Sequence, residues 1–446
     1  MSAHKYARYY PEEFKVNSED QLVCKKCLVK IACKKSSVLQ HRETVKHKRK
    51  MEETSRQLTM DEPSQIDWSE RFAKAFLGAN IPLHKLRFPS IRKLIKDLKV
   101  NVGSHEKCRK YLDDLYQEKY TEIKSFVRDE RVFLIVDESD FDGKQVINIL
   151  IGIIESPEKT YLCGCEILEE ELDYSCVARY INKVIQSLEI PSNNFTLLLS
   201  DAASYMIKAY KDALKIFYPK LFHVTCFSHL LHNCCCRIKN NYPKVDKLIS
   251  SIKFLCVKNK TRRNKFYPIG FPPLPVSSRW GSWLSAAMYY SKKIVQVKHI
   301  VNSFQGDGEL LKRAKQSVNE DGLIKDLTRL TNCYENILPL ITQLQSRSAT
   351  IEQFYPKLKE LDFGADPANI KKYIEERLNR NQASEIFNQS RASVEPMLYS
   401  NLLKCQCTSS EVERSFSQLR NILTEHRNFK PENLKKYALV YYSENS

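Results

Sequence analysis

Short apolar blocks dominate the middle of the chain. Residues 132–136 (VFLIV) stop at Asp137, residues 146–154 (VINILIGII) run almost unbroken, and residues 161–168 supply a third block. Residues 195–199 (FTLLL) form a fourth, ending at Ser200-Asp201. Brief continuous apolar runs suit strands buried on both faces. Between the third and fourth blocks, Val177, Tyr180, Ile181, Val184, Ile185 and Leu188 recur at three- and four-residue steps, the period of one helix face. A second helix is predicted over 205–217, and LFHVT, reaching Cys226, reads as a last strand. Three strands, a helix, a strand, a helix and a strand make a mixed sheet layered with helices, so the predicted fold class is α/β.

The flanks carry the helical period instead. Phe72, Ala75, Phe76 and Ala79 fall on one helix ended by Asn80 and Pro82, and Pro89-Ser90 opens another with Ile91, Leu94, Ile95 and Leu98 on one face. Residues 65–125 are therefore expected to form a small helical domain. Beyond residue 280, Ile337, Leu338, Leu340, Ile341 and Leu344 are spaced for a packed helix, as are Ile370, Tyr373, Ile374 and Leu378. Phe416, Leu419, Ile422 and Leu423 give a final helix an apolar face, suited to a core or a partner. Residues 51–64 are polar, have no apolar period and read as a linker.

Two of the predicted strands each deliver an acid where the apolar run stops. Asp137 and Asp201 would project from neighbouring strand ends, where open α/β sheets place ligands. A carboxylate there is costly unless it is solvated, paired or metal-bound. Two hard oxygen donors suit Mg²⁺ and metal-assisted phosphodiester chemistry. Each Asp alone reads equally as an N-cap or turn residue.

The N-terminal segment adds a second metal chemistry. In VCKKCLVKIACKKSSVLQHRETVKHKRK, Cys24 and Cys27 stand two residues apart, and His41 and His47 follow with five residues between them. Two thiolates and two imidazoles satisfy the tetrahedral preference of Zn²⁺, so residues 1–50 are expected to be a zinc finger. The long His–His interval implies a distorted helix end. Cys33, between the two pairs, reads as structural. Lys25, Lys26, Lys30, Lys34, Lys35, Arg42, Lys46, Lys48, Arg49 and Lys50 surround a single acid, Glu43, in this stretch, an electrostatic footprint for a DNA backbone.

Charge extends that reading to the whole chain. Its 446 residues carry a formal charge of +18, which points to a polyanionic partner, nucleic acid before membrane. The opening residues have no apolar signal core, and no run approaches the roughly 18 uncharged apolar residues of a membrane span. The fifteen cysteines are therefore expected in a reducing compartment, as metal ligands or small buried hydrophobes. The run Lys46-His47-Lys48-Arg49-Lys50 suits nuclear import and phosphate contact alike.

On these residues the chain resembles known families. The N-terminal segment is similar to BED-type fingers and to the finger of the CGG-repeat-binding-protein-like group, which FLGANIPLHKLRFPSIRKLI also resembles. Asp137, Asp201 and a distant Glu look like the ribonuclease-H-like core of hAT (hobo–Activator) transposases. The family's Cys-x-x-His is matched by Cys226-Phe227-Ser228-His229, and its Arg-Trp pair by Arg279-Trp280. SSEVERSFSQLRNILTEHRNFKPENLKKYALVYYSEN resembles the hAT C-terminal signature, with Glu413 on the catalytic glutamate.

The resemblance implies a ribonuclease-H-like core (126–280 and 401–446) interrupted by an all-helical insertion (281–400), behind a finger (1–50) and a helical domain (65–125). It implies that Asp137, Asp201 and Glu413 hold Mg²⁺ to cut and join double-stranded DNA in the nucleus. His229 would contact the scissile phosphate, and Arg279 and Trp280 would contact DNA, with Trp280 stacking on a flipped base. Trp280 reads equally as a core residue. The C-terminal segment would join homo-oligomers; neither a membrane nor a small-molecule substrate is expected. Two functions fit: an active transposase, or a transposase-derived DNA-binding regulator that has lost catalysis. A scaffold working only through the C-terminal helices would leave the basic finger unexplained.

Overall fold

The computed structural model describes residues 3–17, 19–48, 50–51, 67–141, 143–168, 172–276, 281–365, 367–392, 395–423 and 429–445. These divide into two compact units, Met1–Trp68 and Ser69–Ser446. No helix among the described residues is long and apolar enough to cross a membrane.

In the first unit, helix α1 (Ala3–Tyr9) precedes the antiparallel strands β1 (Phe14–Val16) and β2 (Leu22–Cys24), and helix α2 (Lys35–Glu43) follows. Tyr6, Phe14, Leu22 and Val38 make a small core that includes Cys24 and Cys27. Residues 3–16 thus pack into the same module as the cysteines and histidines.

The second unit is a mixed α/β structure. Helices α3 (Trp68–Gly78), α4 (Pro89–Asp97) and α5 (His105–Val127) lead into a five-stranded sheet. Its strands are β3 (Val132–Phe141), β4 (Lys144–Ile153), β5 (Ser156–Ile167), β6 (Phe195–Ser200) and β7 (Phe222–Thr225), in the order β5-β4-β3-β6-β7. β3, β4 and β5 pair antiparallel, while β3, β6 and β7 run parallel. Helix α6 (Tyr174–Ser187), capped by Asp173, links β5 to β6. Helix α7 (Ser204–Ala209) continues through a π-helical turn over Tyr210–Leu214 towards β7. The apolar faces of β3 and β4 pack with Val177, Ile181 and Ile185 of α6, and Ile123 and Val127 of α5, in one core.

After β7 the chain is helical: α8 (Phe227–Asn241), α9 (Pro243–Lys258), α10 (Lys260–Asn264) and α11 (Ser282–Ser303), then further helices from Glu309–Val318 to Pro396–Leu403. It returns to the sheet in α12 (Ser410–Ile422), which packs on β3 and β4, and α13 (Pro431–Asn445), which packs on β5 and α5.

Three expectations from the sequence need correction. β3 does not stop at Asp137: the hairpin with β4 carries it to Phe141, because cross-strand pairing, Asp137↔Asn148 included, sustains the strand past its apolar run. α3 buries Ser69, Ala73 and Leu77 rather than the Phe72–Phe76 side. α4 buries Ile95 alone of its four apolar positions, and Leu94 and Leu98 are exposed.

Candidate metal centres

At the finger, Cys24 ends β2 and Cys27 sits on the turn after it. That turn is closed by Leu28 N–H donating to Cys24 O (2.9 Å), with Leu28 at φ +58°. Cys27 N–H points at Cys24 Sγ (3.3 Å), so the backbone turns both sulfurs inward. α2 supplies His41 and ends at Thr44, whose extended backbone (φ −64°, ψ 139°) breaks the helix. A new turn over residues 45–48 brings in His47, with Thr44 Oγ1 accepting from His47 N. This break is how a five-residue interval delivers both rings to one point.

The ligand atoms of Cys24, Cys27, His41 and His47 all lie within 4.8 Å of one another. His47 Nδ1 is 3.4 Å from Cys24 Sγ and 3.5 Å from Cys27 Sγ. Sulfur and nitrogen on one tetrahedral zinc would stand about 3.6 Å apart. His41 Nε2 is buried with no hydrogen-bond partner, and burial pushes the His41 pKa down, leaving a lone pair for a cation. Burial, and then the neighbouring Cys24 sulfur, push the Cys27 thiol up, a repulsion that a cation between the sulfurs relieves. These four residues can hold a metal ion such as zinc.

The sequence pattern missed Glu13. Its carboxylate accepts from Arg42 Nε (2.8 Å) and Arg42 Nη2 (2.9 Å) and lies 3.0 Å from His47 Nε2. A carboxylate behind a ligating imidazole fixes its tautomer and orientation. Arg42 is thereby engaged inside the module rather than on a phosphate. Of the predicted DNA contacts here, Lys25 is exposed, Lys26 half-buried, and Lys48 exposed and paired with Glu43. Lys50 is half-buried, Cys33 packs beside the module core outside the four-residue cluster, and Arg49 lies outside the described residues.

The second centre lies at the sheet. β3 and β6 are in register at Ile135↔Leu199; two residues on, Asp137 is still within β3, while Asp201 comes just past the end of β6. β7 ends at Thr225; Cys226 N–H donates to Ser200 O (2.8 Å), and α8 begins at once with His229 in its first turn. Glu413 arrives from 276 positions beyond Asp137, in the first turn of α12. That helix is pinned over the sheet by Asn148 Nδ2 donating to Ser415 Oγ (2.8 Å) and by Phe227 N–H donating to Cys407 O (3.0 Å).

Ligand atoms of Asp137, His229 and Glu413 lie within 4.8 Å of one another. Asp201 stands outside this tight group, its Oδ1 accepting from Ala203 N–H (3.1 Å). Burial, joined by the charges of Glu138, Glu413 and Asp201, drives the Asp137 carboxyl well above the usual carboxylate range. Burial likewise pushes Glu413 up to about 7 and raises Asp201, with His229 opposing both. Glu138, the next residue on β3, is pushed up to about 7 by burial and by Asp201 and accepts from Tyr205 Oη. No sequence signal beyond its adjacency to Asp137 marks Glu138.

Burial opposes the charge on His229, but Cys226, Asp137 and Glu413 outweigh it and push its pKa up to about 10. Its Nδ1 lies 3.3 Å from Ser409 Oγ and its Nε2 3.9 Å from Glu413. In this group Asp137 and Glu413 offer oxygens and His229 a ring nitrogen to a cation. Arg279 and Trp280 lie outside the described residues. Comparison of the chain with protein-family models and with curated proteins finds no match.

Proposed function

We propose that this chain is a DNA-binding transposase of the hAT type, or a protein derived from one, cutting and joining DNA by metal-assisted phosphoryl transfer. The observation that carries the reading is the convergence of Asp137 and Glu413 from distant parts of the chain, with Asp201 just past the end of the adjacent strand. Carboxylates crowded out of water are stabilised by a divalent cation, and oxygen donors suit a hard one such as magnesium. The strand order supports a ribonuclease-H-like core, with the helices between β7 and α12 as its insertion.

In this reading Asp137, Asp201 and Glu413 hold the metal. Magnesium bound there would activate water or a 3′-hydroxyl and stabilise the leaving oxygen. His229 holds a proton at Nε2, the nitrogen turned away from Ser409, where a scissile phosphate oxygen can accept it. The finger, with zinc on Cys24, Cys27, His41 and His47, docks on duplex DNA through Lys25, Lys26 and the run ending at Lys50. The protein works in the nucleus, as a homo-oligomer joined through its C-terminal segment.

The test is incubation of the purified chain with Mg²⁺ or Mn²⁺ and supercoiled plasmid or inverted-repeat duplexes. Metal-dependent nicking or hairpin formation, abolished in Asp137→Asn and Glu413→Gln, is expected. Asp201 standing outside the tight group favours a second reading, a DNA-binding regulator of the same origin without catalysis. Absence of cleavage together with finger-dependent duplex binding would establish that second reading.

A further inference from the structure

Between Asp246 and Asp307 the chain has no acidic residue, yet it carries eleven lysines and arginines. Residues 247–306 comprise most of α9, then α10, the Pro-rich segment after it and α11. Along the described part of that segment the backbone is tied down. Tyr289 Oη donates to Gly270 O (2.6 Å), Lys293 Nζ donates to Ile269 O, and Lys253 Nζ donates to Pro275 O (2.5 Å). Phe266 is fully buried, edge-on to Phe304 at 6.2 Å. Gly270, at φ +81°, makes the turn that these bonds hold.

Two large rings sit outside this anchored backbone. Tyr267 is 75% exposed and Phe271 42% exposed, with ring centroids 6.1 Å apart at 60°. The Arg263 guanidinium lies 5.0 Å from the centre of the Phe271 ring. Lys258, Lys260 and Lys265 are exposed on the same stretch of chain. Solvent-facing rings on an anchored backbone, in a stretch of chain that carries cations and no acids, match one ligand chemistry: planar faces strung at intervals along a polyanion.

We propose that this surface binds a nucleic-acid strand with unpaired bases. The bases stack on Tyr267 and Phe271, and the phosphates lie along Lys258, Lys260, Arg263 and Lys265. This site shares no residue with the carboxylate centre. A protein without cleavage activity would still bind strands here.

The experiment uses the full chain and fluorescence anisotropy with a labelled thymidine oligonucleotide, beside a mixed-sequence duplex of equal length, over a range of salt. Tyr267→Ala is expected to weaken single-strand binding about tenfold while duplex binding stays within about twofold, and Tyr267→Phe to restore it. Lys260→Glu with Lys265→Glu is expected to lower the slope of log affinity on log salt by about 0.7 for each phosphate no longer neutralised. Unchanged single-strand affinity in both variants overturns the proposal. Equal weakening on strand and duplex in Tyr267→Ala overturns the stacking role. Circular dichroism on each variant separates a lost site from a lost fold. Plasmid nicking scored on the same preparations reports on the carboxylate centre alone, so failure of one reading is distinguishable from failure of the other.

Discussion

His47 turns one ring nitrogen to the two finger sulfurs and the other to Glu13. Removing that carboxylate frees the ring to rotate and drops the preference for the ligating tautomer, although all four ligands remain. Glu13→Ala is expected to lower zinc affinity about 10- to 100-fold in a chelator competition, and Arg42→Ala to lower it less. His223 poses a different residue-scale problem. It is buried, lies 2.9 Å from Ser200 Oγ, and is pushed down to about 4 by burial and then by Lys211. As pH falls below the ordinary histidine value, the unfolded chain takes up a proton that the folded chain refuses until about pH 4. The contribution of His223 to stability is therefore complete above that window and falls by roughly 3 kcal/mol across it. The raised carboxyls of Asp137, Glu138 and Glu413 act in the opposite sense over this window, so the fall is read as the urea midpoint of the wild type minus that of His223→Gln, which should decrease between pH 7 and 4. Neither Glu13 nor His223 carries a sequence signal of its role, since each depends on a partner brought in by folding.

At the scale of elements, the start of α12 decides whether Glu413 meets Asp137. Glu411, two positions earlier, is buried, and its carboxylate pairs with Arg347 Nε (3.0 Å) and with Arg414. The pair ties α12 to the turn after the helix Ile337–Leu344. Arg347→Ala with Arg414→Ala strands a buried carboxylate and is expected to destabilise the fold by about 3 kcal/mol or more, read as a lower urea midpoint. Arg414→Ala alone, which leaves Arg347 in place, is expected to cost less. The strands themselves were legible: VFLIV, VINILIGII and FTLLL each became a buried strand, because an unbroken apolar run has no solvent face to offer. The helical faces of residues 69–98 were not, because α3 and α4 carry apolar residues on more than one side and their neighbours chose which side to bury.

For the whole molecule, the two compact units should respond differently to removal of metal. The core of the first is small (Tyr6, Phe14, Leu22 and Val38) and includes two proposed ligands, so metal binding there is folding free energy. Chelation is expected to abolish the cooperative unfolding of residues 3–51 while the sheet of the second unit still melts cooperatively. A single transition unaffected by chelator would exclude a structural metal. The sequence alone determined the strand blocks, the helical flanks, the spacing of Cys24, Cys27, His41 and His47, and the positive charge, because each is local or compositional. Tertiary structure alone decided that Asp137 lies within a hairpin strand, that Asp201 follows the adjacent strand yet stands outside the tight group, and that Glu413 joins His229 there. It also decided that Glu13 backs His47 and that Tyr267 faces solvent. The physical reason is common to all of these. Strand pairing, helix docking and burial act between positions far apart in the chain, and periodicity within a segment does not record them.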